Sequence, residues 1–299
     1  MQNKKRVIAL GFFDGVHLGH GALLRRTAEV ANRFGATPAA VTFDYHPKTF
    51  VGNKVVSLIN TPEDRAWLMR SGYGIEDVII LPFDRAMMEM PWDVFVKEGL
   101  VGRYGAVHVV AGHDYHFGYK GEGNPEKLKK LCGELGIGCD IIEKVEMDGI
   151  TISSTYIRRL LEEGNVEEAS RFLGHPHVLS GRVVQGKQVG RTIGIPTANL
   201  VVPERVLVPA YGVYAAKVVT EGGSYLAVTN IGIRPTVDDG RGVTVEPWIL
   251  DFDGDLYDQT IRVEFYKKIR GEKKFASLEE LRREILRNAE QTRAFFAAN

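Results

Sequence analysis

The feature that most limits what this chain can fold into is a change of texture near His175-Pro176. Before that point, apolar runs of strand length alternate with segments of helical spacing. After it, almost every structured run reads as a strand. "RVIALGFF" reads as a buried strand, and 21–34 as a helix with Leu23, Leu24, Ala28 and Ala31 on one side. "TPAAVTF" is strand-like. "TPEDRAWLMRSG" is helix-like, with Thr61 as cap, Pro62 in the first turn and Gly72 as stop. "EDVIILPF", "AVHVVAG" and "CDIIEKVEM" are further strands, and "NPEKLKKLCGELG" is a capped helix. Strands alternating with helices predict a mainly parallel sheet with helices on both faces. Ligands in such sheets sit at the carboxyl ends of strands.

"STYIRRLLEEGNVEEASRFLG" predicts two short helices about Gly164-Asn165. Then 178–184, 211–220, 225–231, 243–251 and 260–266 read as strands joined by Gly, Pro, Asp and Asn turns. That is an antiparallel barrel or sandwich, followed by one helix over 278–296. A chain of 299 residues suits two domains, expected at 1–174 and 175–299.

Lys plus Arg and Asp plus Glu each number 38, so the formal net charge is zero and nothing points to nucleic acid or to an acidic membrane. No run approaches the roughly 18 apolar residues of a membrane span. "MQNKKRVIALGFF" starts basic, but its apolar run breaks at Gly11 and Asp14, which makes a poor signal peptide. Cys132 and Cys139 carry no ligand pattern and read as free thiols in a reducing cytoplasm.

Two stretches carry chemistry. In "LGFFDGVHLGH", His17 and His20 lie where a strand gives way to a helix. The pair can be metal ligands, although no third ligand is evident. It can be two structural histidines. It can also be a phosphate site, because amides at a helix start attract anions and imidazoles there can bind phosphate oxygens. Gly11 opens the turn, and Gly19 removes a side chain where a nucleotide needs close approach. In "GKQVGRTIGIPTANL", Gly186, Gly190 and Gly194 permit tight turns beside an anion, and Pro196 stiffens the loop. Thr197 and Asn199 point the same way if extended, and a hydroxyl with an amide carbonyl suits Mg²⁺. A Gly-rich hairpin with polar turn residues is the plain alternative.

The ordered set "GFFDGVHLGH", "TFDYHP", "GHDYHFG" and "ISSTYIRRLL" resembles the adenylyltransferase module of bacterial bifunctional riboflavin kinase/FAD synthetases, over about 1–174. These are Rossmann-like HxGH nucleotidyltransferases. The resemblance implies that His17 and His20 contact ATP phosphates. It implies a second phosphate motif in "SSTYIR", with Ser154, Thr155 and Arg158, and it matches Asp114 to a family position that carries Asn or Asp. A simple helix cap explains the serines and threonine equally well. "GRTIGIPTANL", "PAYGVYAAKV", "VTNIGIRPTV" and "VEPWILDFDGDLYDQTIRVEFYKKIRGEKKF" resemble the riboflavin kinase module, over about 178–299. That implies a small Greek-key β-barrel, with Gly186, Gly190, Arg191, Gly194 and Pro196 binding nucleotide. It also implies Mg-ATP at Thr197 and Asn199, and Glu246 near the flavin 5′-hydroxyl.

The implied substrates and products are riboflavin, FMN, FAD and ATP. Three rivals stand at this point: a kinase alone, with a decayed first domain; a flavin-binding regulator without turnover; and a different nucleotidyltransferase, acting on pantetheine phosphate or glycerol phosphate, against which the second module argues. Four positions depart from the family pattern. Phe12 stands where Asn is usual, Tyr45 where Pro is usual and Trp248 where His is usual, and His113 replaces an acidic residue. Phe12 is expected to pack under the loop, as large aromatics beside a strand end usually do.

Overall fold

The computed structural model describes residues 4–47, 49, 56–186, 190, 194–233 and 242–298. The chain divides into two compact units. One spans 1–58 and 62–154, and the other spans 59–61 and 155–299.

The first unit is built on five parallel strands: β1 (Arg6–Leu10), β2 (Thr37–Phe43), β3 (Asp77–Leu81), β4 (Ala106–Gly112) and β5 (Gly138–Ile142). Their spatial order is β3-β2-β1-β4-β5. Helices α1 (Leu18–Phe34), α2 (Pro62–Tyr73) and α3 (Pro125–Glu134) follow the crossovers that parallel pairing demands. Val7, Ile8, Ala9 and Leu10 are all buried, because β1 is covered on both faces. The sheet runs from β1 outward to β2 and β3, then returns to β4 on the other side of β1. Strand order therefore reverses between β1 and β4, where a crevice opens at the carboxyl ends.

Helix α1 begins at Leu18, three residues before the sequence suggested, because His17 serves as its N-cap. It ends at Gly35 in the left-handed conformation. Helical turns over 85–94 lead into wide π-type turns at Phe95–Arg103, a region the sequence reading left unassigned. A two-stranded ribbon, β6 (Glu146–Met147) and β7 (Ile150–Thr151), precedes α4 (Ser154–Glu163) and α5 (Val166–Leu173).

The second unit is a closed antiparallel barrel. Its strands are β8 (His177–Val184), β9 (Asn199–Val201), β10 (Gly212–Thr220), β11 (Gly223–Ile233), β12 (Val243–Ile249) and β13 (Thr260–Arg270). The order β10-β11-β12-β9-β8-β13 closes through β10 and β13. The expected choice between barrel and sandwich thus resolves as a barrel. Strand β9 is the one the sequence reading did not separate from its loop. Helix α6 (Leu278–Ala298) ends the chain, and its Ala289 joins Val213, Val228 and Leu250 in a small core. The α4–α5 pair belongs with this unit: the Leu161 carbonyl accepts the Ala210 N–H at 3.0 Å. The Asn60 amide donates to the Val178 carbonyl at 2.9 Å, which ties 59–61 to β8.

His177 at the start of β8 is fully buried against the Phe265 ring, with centroids 5.8 Å apart. Neither ring nitrogen finds a hydrogen-bond partner among the described residues. Burial, helped by His175, lowers its pKa from 6.5 to about 3. The unfolded chain therefore binds a proton below about pH 6.5 that the folded chain refuses until about pH 3. Across that window the residue removes roughly 1.4 kcal/mol of stability per pH unit as pH falls. We expect His177→Phe to flatten the acid limb by that slope in denaturant titrations between pH 7 and 4. Parallel limbs for parent and variant would contradict it.

Candidate active sites

The first site forms where β1 leaves the sheet. Phe13 (φ 57°) and Val16 (φ 43°) both occupy the left-handed region, and both are fully buried. Such backbone costs on the order of 1–3 kcal/mol per residue and persists only where packing dictates it. The turn delivers His17 to the helix start, where its Nδ1 accepts the His20 backbone N–H at 3.2 Å. An accepting Nδ1 puts the neutral ring's proton on Nε2. The His17 and His20 rings stack with centroids 3.6 Å apart and planes 13° from parallel. His20 is held well below the ordinary imidazole range by burial, then by His17 and Arg65. The His20 ring is thus held in its uncharged form at neutral pH, and its Nδ1 has no partner among the described residues.

The glycines have specific work here. A Cβ on Gly19 would lie 3.1 Å from the His17 ring, so Gly19 lets that imidazole fold over the helix start. A Cβ on Gly11 would lie 2.9 Å from the Phe13 ring. Ser154, at the start of α4, donates to the Asp14 carbonyl at 2.9 Å and ties the distant motif to the loop. Thr155 and Arg158 follow on α4, in the second unit. Asp114 is exposed just beyond β4, on the other side of the crevice from β1's loop.

Of the departures, Phe12 is half-buried against the core, with the His46 ring 4.6 Å away on one side and the Arg65 guanidinium 4.3 Å from its centre. Tyr45 is exposed and gives its backbone N–H to Asp44, which also accepts from Phe83. His113 is exposed, and its N–H donates to the Ile142 carbonyl. Sequence reading passed over Arg65, whose position in a charged helical segment gave no sign of burial.

The second site lies along β9 and β12. Asn199 opens β9, opposite Val184 of β8. A Cβ on Gly186 would lie 2.3 Å from the Asn199 amide, so the glycine is the floor on which that side chain rests. A Cβ on Gly190 would fall 2.2 Å from the Ile195 carbonyl and 3.6 Å from the Thr197 hydroxyl. Gly194 adopts φ 73°, the left-handed conformation that glycine supplies. Arg191 lies outside the described residues.

Pro196 and Thr197 line a cavity of about 320 Å³ with Val183, Pro247, Ile249 and Tyr257. On β12, Val245, Pro247 and Ile249 are buried and alternate with half-buried Glu246 and Trp248. Val245 pairs with Leu200 of β9, which sets Glu246 beside Asn199 on the other face. Trp248 packs against the core that includes Ala289 of α6, which accounts for a large aromatic there. The hydroxyl of Thr197, the carbonyl of Asn199 and the carboxylate of Glu246 are hard oxygen donors. Among the described residues no group of three His, Cys, Asp or Glu could hold a metal ion. Among the described residues the histidine pair therefore has no third ligand of those types. Cys132 and Cys139 are free thiols, and no helix of the described residues is long and apolar enough to cross a membrane.

Comparison with known proteins agrees with this division. The FAD synthetase family model matches residues 1–156, and the riboflavin kinase model matches residues 173–296. A bifunctional riboflavin kinase/FMN adenylyltransferase of Listeria monocytogenes is 39% identical, over 98% of this chain and 93% of its own length. The Escherichia coli K12 protein of the same description is 36% identical, over 97% and 92%. A crystal structure described as a macrolide-efflux protein from Streptococcus pneumoniae superposes with a TM-score of 0.84 at 32% identity, over 98% of this chain and 95% of that one.

Phe13 is fully buried with its ring edge against His20. We expect Gly11→Ala to lower stability by about 1–3 kcal/mol, as overpacking of a filled core does. Urea unfolding checks this, and an unchanged midpoint would show that the ring can move.

Proposed function

As a member of the bifunctional riboflavin kinase/FMN adenylyltransferases, the family to which this chain belongs, the protein phosphorylates riboflavin to FMN with ATP and adenylylates FMN to FAD with a second ATP; we propose that the barrel site carries the first reaction and the β1 loop the second. We assign 1–174 to adenylyl transfer and 175–299 to phosphorylation. The family matches over 1–156 and 173–296 support that assignment. Free thiols at Cys132 and Cys139 favour the cytoplasm as its place of work.

In the phosphorylation, the riboflavin 5′-hydroxyl attacks the γ-phosphorus of ATP, and ADP leaves. An ordinary carboxylate cannot deprotonate an alcohol beforehand, and a loose transition state does not ask it to. Glu246 orients the hydroxyl and takes its proton late. The observation that carries this reading is the β12–β9 register, which sets Glu246 beside Asn199. Mg²⁺ fits the donors there. Thr197 and Asn199 offer hard oxygens, the Asn199 amide resting on Gly186 and the Thr197 hydroxyl lying beside Gly190. Thr197 and Asn199 would hold the ion with ATP, and it would supply neutralisation of phosphate charge there. Gly186, Gly190, Arg191, Gly194 and Pro196 shape the phosphate path.

In the adenylylation, an FMN phosphate oxygen attacks the α-phosphorus of ATP, and pyrophosphate leaves. The nucleophile is already ionised, so no base is needed. His17 and His20 donate to phosphate oxygens as charge builds, and Gly11 and Gly19 allow the approach. The stacked pair at the start of α1, with His20 held uncharged by burial, supports this role. Ser154 belongs to the same loop through Asp14. Thr155, Arg158 and Asp114 are assigned here on the family resemblance, with Arg158 as a fixed charge in a bidentate fork.

Two substitutions separate the sites. Glu246→Gln keeps shape but cannot take a proton, so riboflavin phosphorylation should fall by about 10² to 10⁴ while supplied FMN is still converted to FAD. Phosphorylation within about threefold of the parent, far short of that range, would remove Glu246 from the mechanism. His20→Ala should cost FAD formation roughly 10² to 10³ and spare FMN formation. Chromatography of the flavins reads both, and equal loss of the two activities in a folded variant would mean that the site assignments are wrong.

A further inference from the structure

Arg65 is the largest fully buried side chain among the described residues. Its guanidinium donates to the Phe12 carbonyl, to Thr42 Oγ1 at 2.9 Å and to the Phe43 carbonyl at 2.8 Å. Thr42 Oγ1 in turn donates to the same Phe12 carbonyl at 2.8 Å. Burial lowers the Arg65 pKa to about 10, with Asp14, Glu63 and Asp44 opposing, so the cation persists at neutral pH. Burying a cation on neutral oxygens is expensive, and an apolar residue of similar volume would often fill such a space at lower cost. The site of the grip accounts for the arginine. Phe12 is the last residue before the chain turns left-handed at Phe13, and that turn decides where His17 and His20 stand.

We propose that Arg65 is a positioning residue for FMN adenylylation: it clamps the Phe12 carbonyl between two donors, covers the Phe12 ring, and so fixes the loop that presents His17 and His20. The clamp joins the carboxyl ends of β1 and β2 through one planar fork, which a flexible ammonium cannot replace. The inference rests on the assignment of adenylyl transfer to the β1 loop. It adds a residue that touches neither nucleotide nor flavin. Phe12 also gains a reason: its ring is the surface on which the buried guanidinium lies, at 4.3 Å.

The test uses the full chain with Arg65→Met, Arg65→Lys, Thr42→Val and His20→Ala, measuring kcat and KM for each half-reaction. For Arg65→Met and Arg65→Lys, kcat for FAD formation should fall about 10- to 100-fold with little change in KM, as small misplacement of reacting groups does. Riboflavin phosphorylation should stay at the parent level and report a folded chain. Thr42→Val keeps the cation but removes the second donor, and should lower the same kcat by a smaller factor. Adenylylation at the parent rate in Arg65→Met would overturn the proposal. So would full rescue by lysine, which would reduce the role to charge, and so would a loss confined to KM. If Arg65→Met fails to fold and loses both activities, Thr42→Val decides, and unchanged FAD formation in that variant overturns the clamp. His20→Ala separates the two ideas. If it leaves FAD formation intact, the site reading fails; if it abolishes FAD formation while Arg65→Met does not, only the clamp fails.

Discussion

A parallel strand cannot turn back on itself, and β1 has parallel neighbours on both sides. Its chain must leave over the end of the sheet and cross back through α1. Because the order reverses between β1 and β4, the two loops part there and leave a crevice. The first site depends on that exit. The first amides of α1 lie at its mouth, His17 caps them, and the left-handed Phe13 and Val16 fit the chain into the short distance available.

The barrel meets a different demand. Its strands alternate inward and outward, so one short register decides which residues fill the core and which work outside it. Val245 against Leu200 sends Val245, Pro247 and Ile249 inward and leaves Glu246 with Asn199. A slip of one residue would bury the carboxylate and expose the valine. Trp248, two residues on, holds that face against the core under α6. The departure at Trp248 is therefore answered by packing.

Much of this was legible in the residues. Apolar runs of strand length alternating with helical segments marked every strand of the parallel sheet, and turn residues marked five of the six barrel strands. The sixth, β9, is only Asn199–Val201, too short to show a period. The start of α1 was placed late because histidine is not among the usual N-cap residues, so a chemical motif hid a structural role. The π-type turns at Phe95–Arg103 carry glycines at 99 and 102 that weaken any helical pattern. Arg65 was invisible for a simpler reason. Nothing local distinguishes an arginine that enters the core from one that meets water; its partners Phe12, Thr42 and Phe43 lie on two other elements.

Closure of the barrel has a consequence beyond the site it carries. A sheet whose first and last strands pair with each other has no free edge strand for a second molecule to extend. The five-stranded sheet keeps two rims, at β3 and β5. Its β3 rim carries Asp77 in contact with Lys4 and Arg6, and its β5 rim carries Asp140 in contact with Arg26 and His108. Charge placed at a rim discourages a foreign strand from docking, where the barrel needs no such guard. During heating or crowded synthesis, the two halves of this chain therefore carry unequal aggregation hazards, and the hazard rests with the half built on the open parallel sheet.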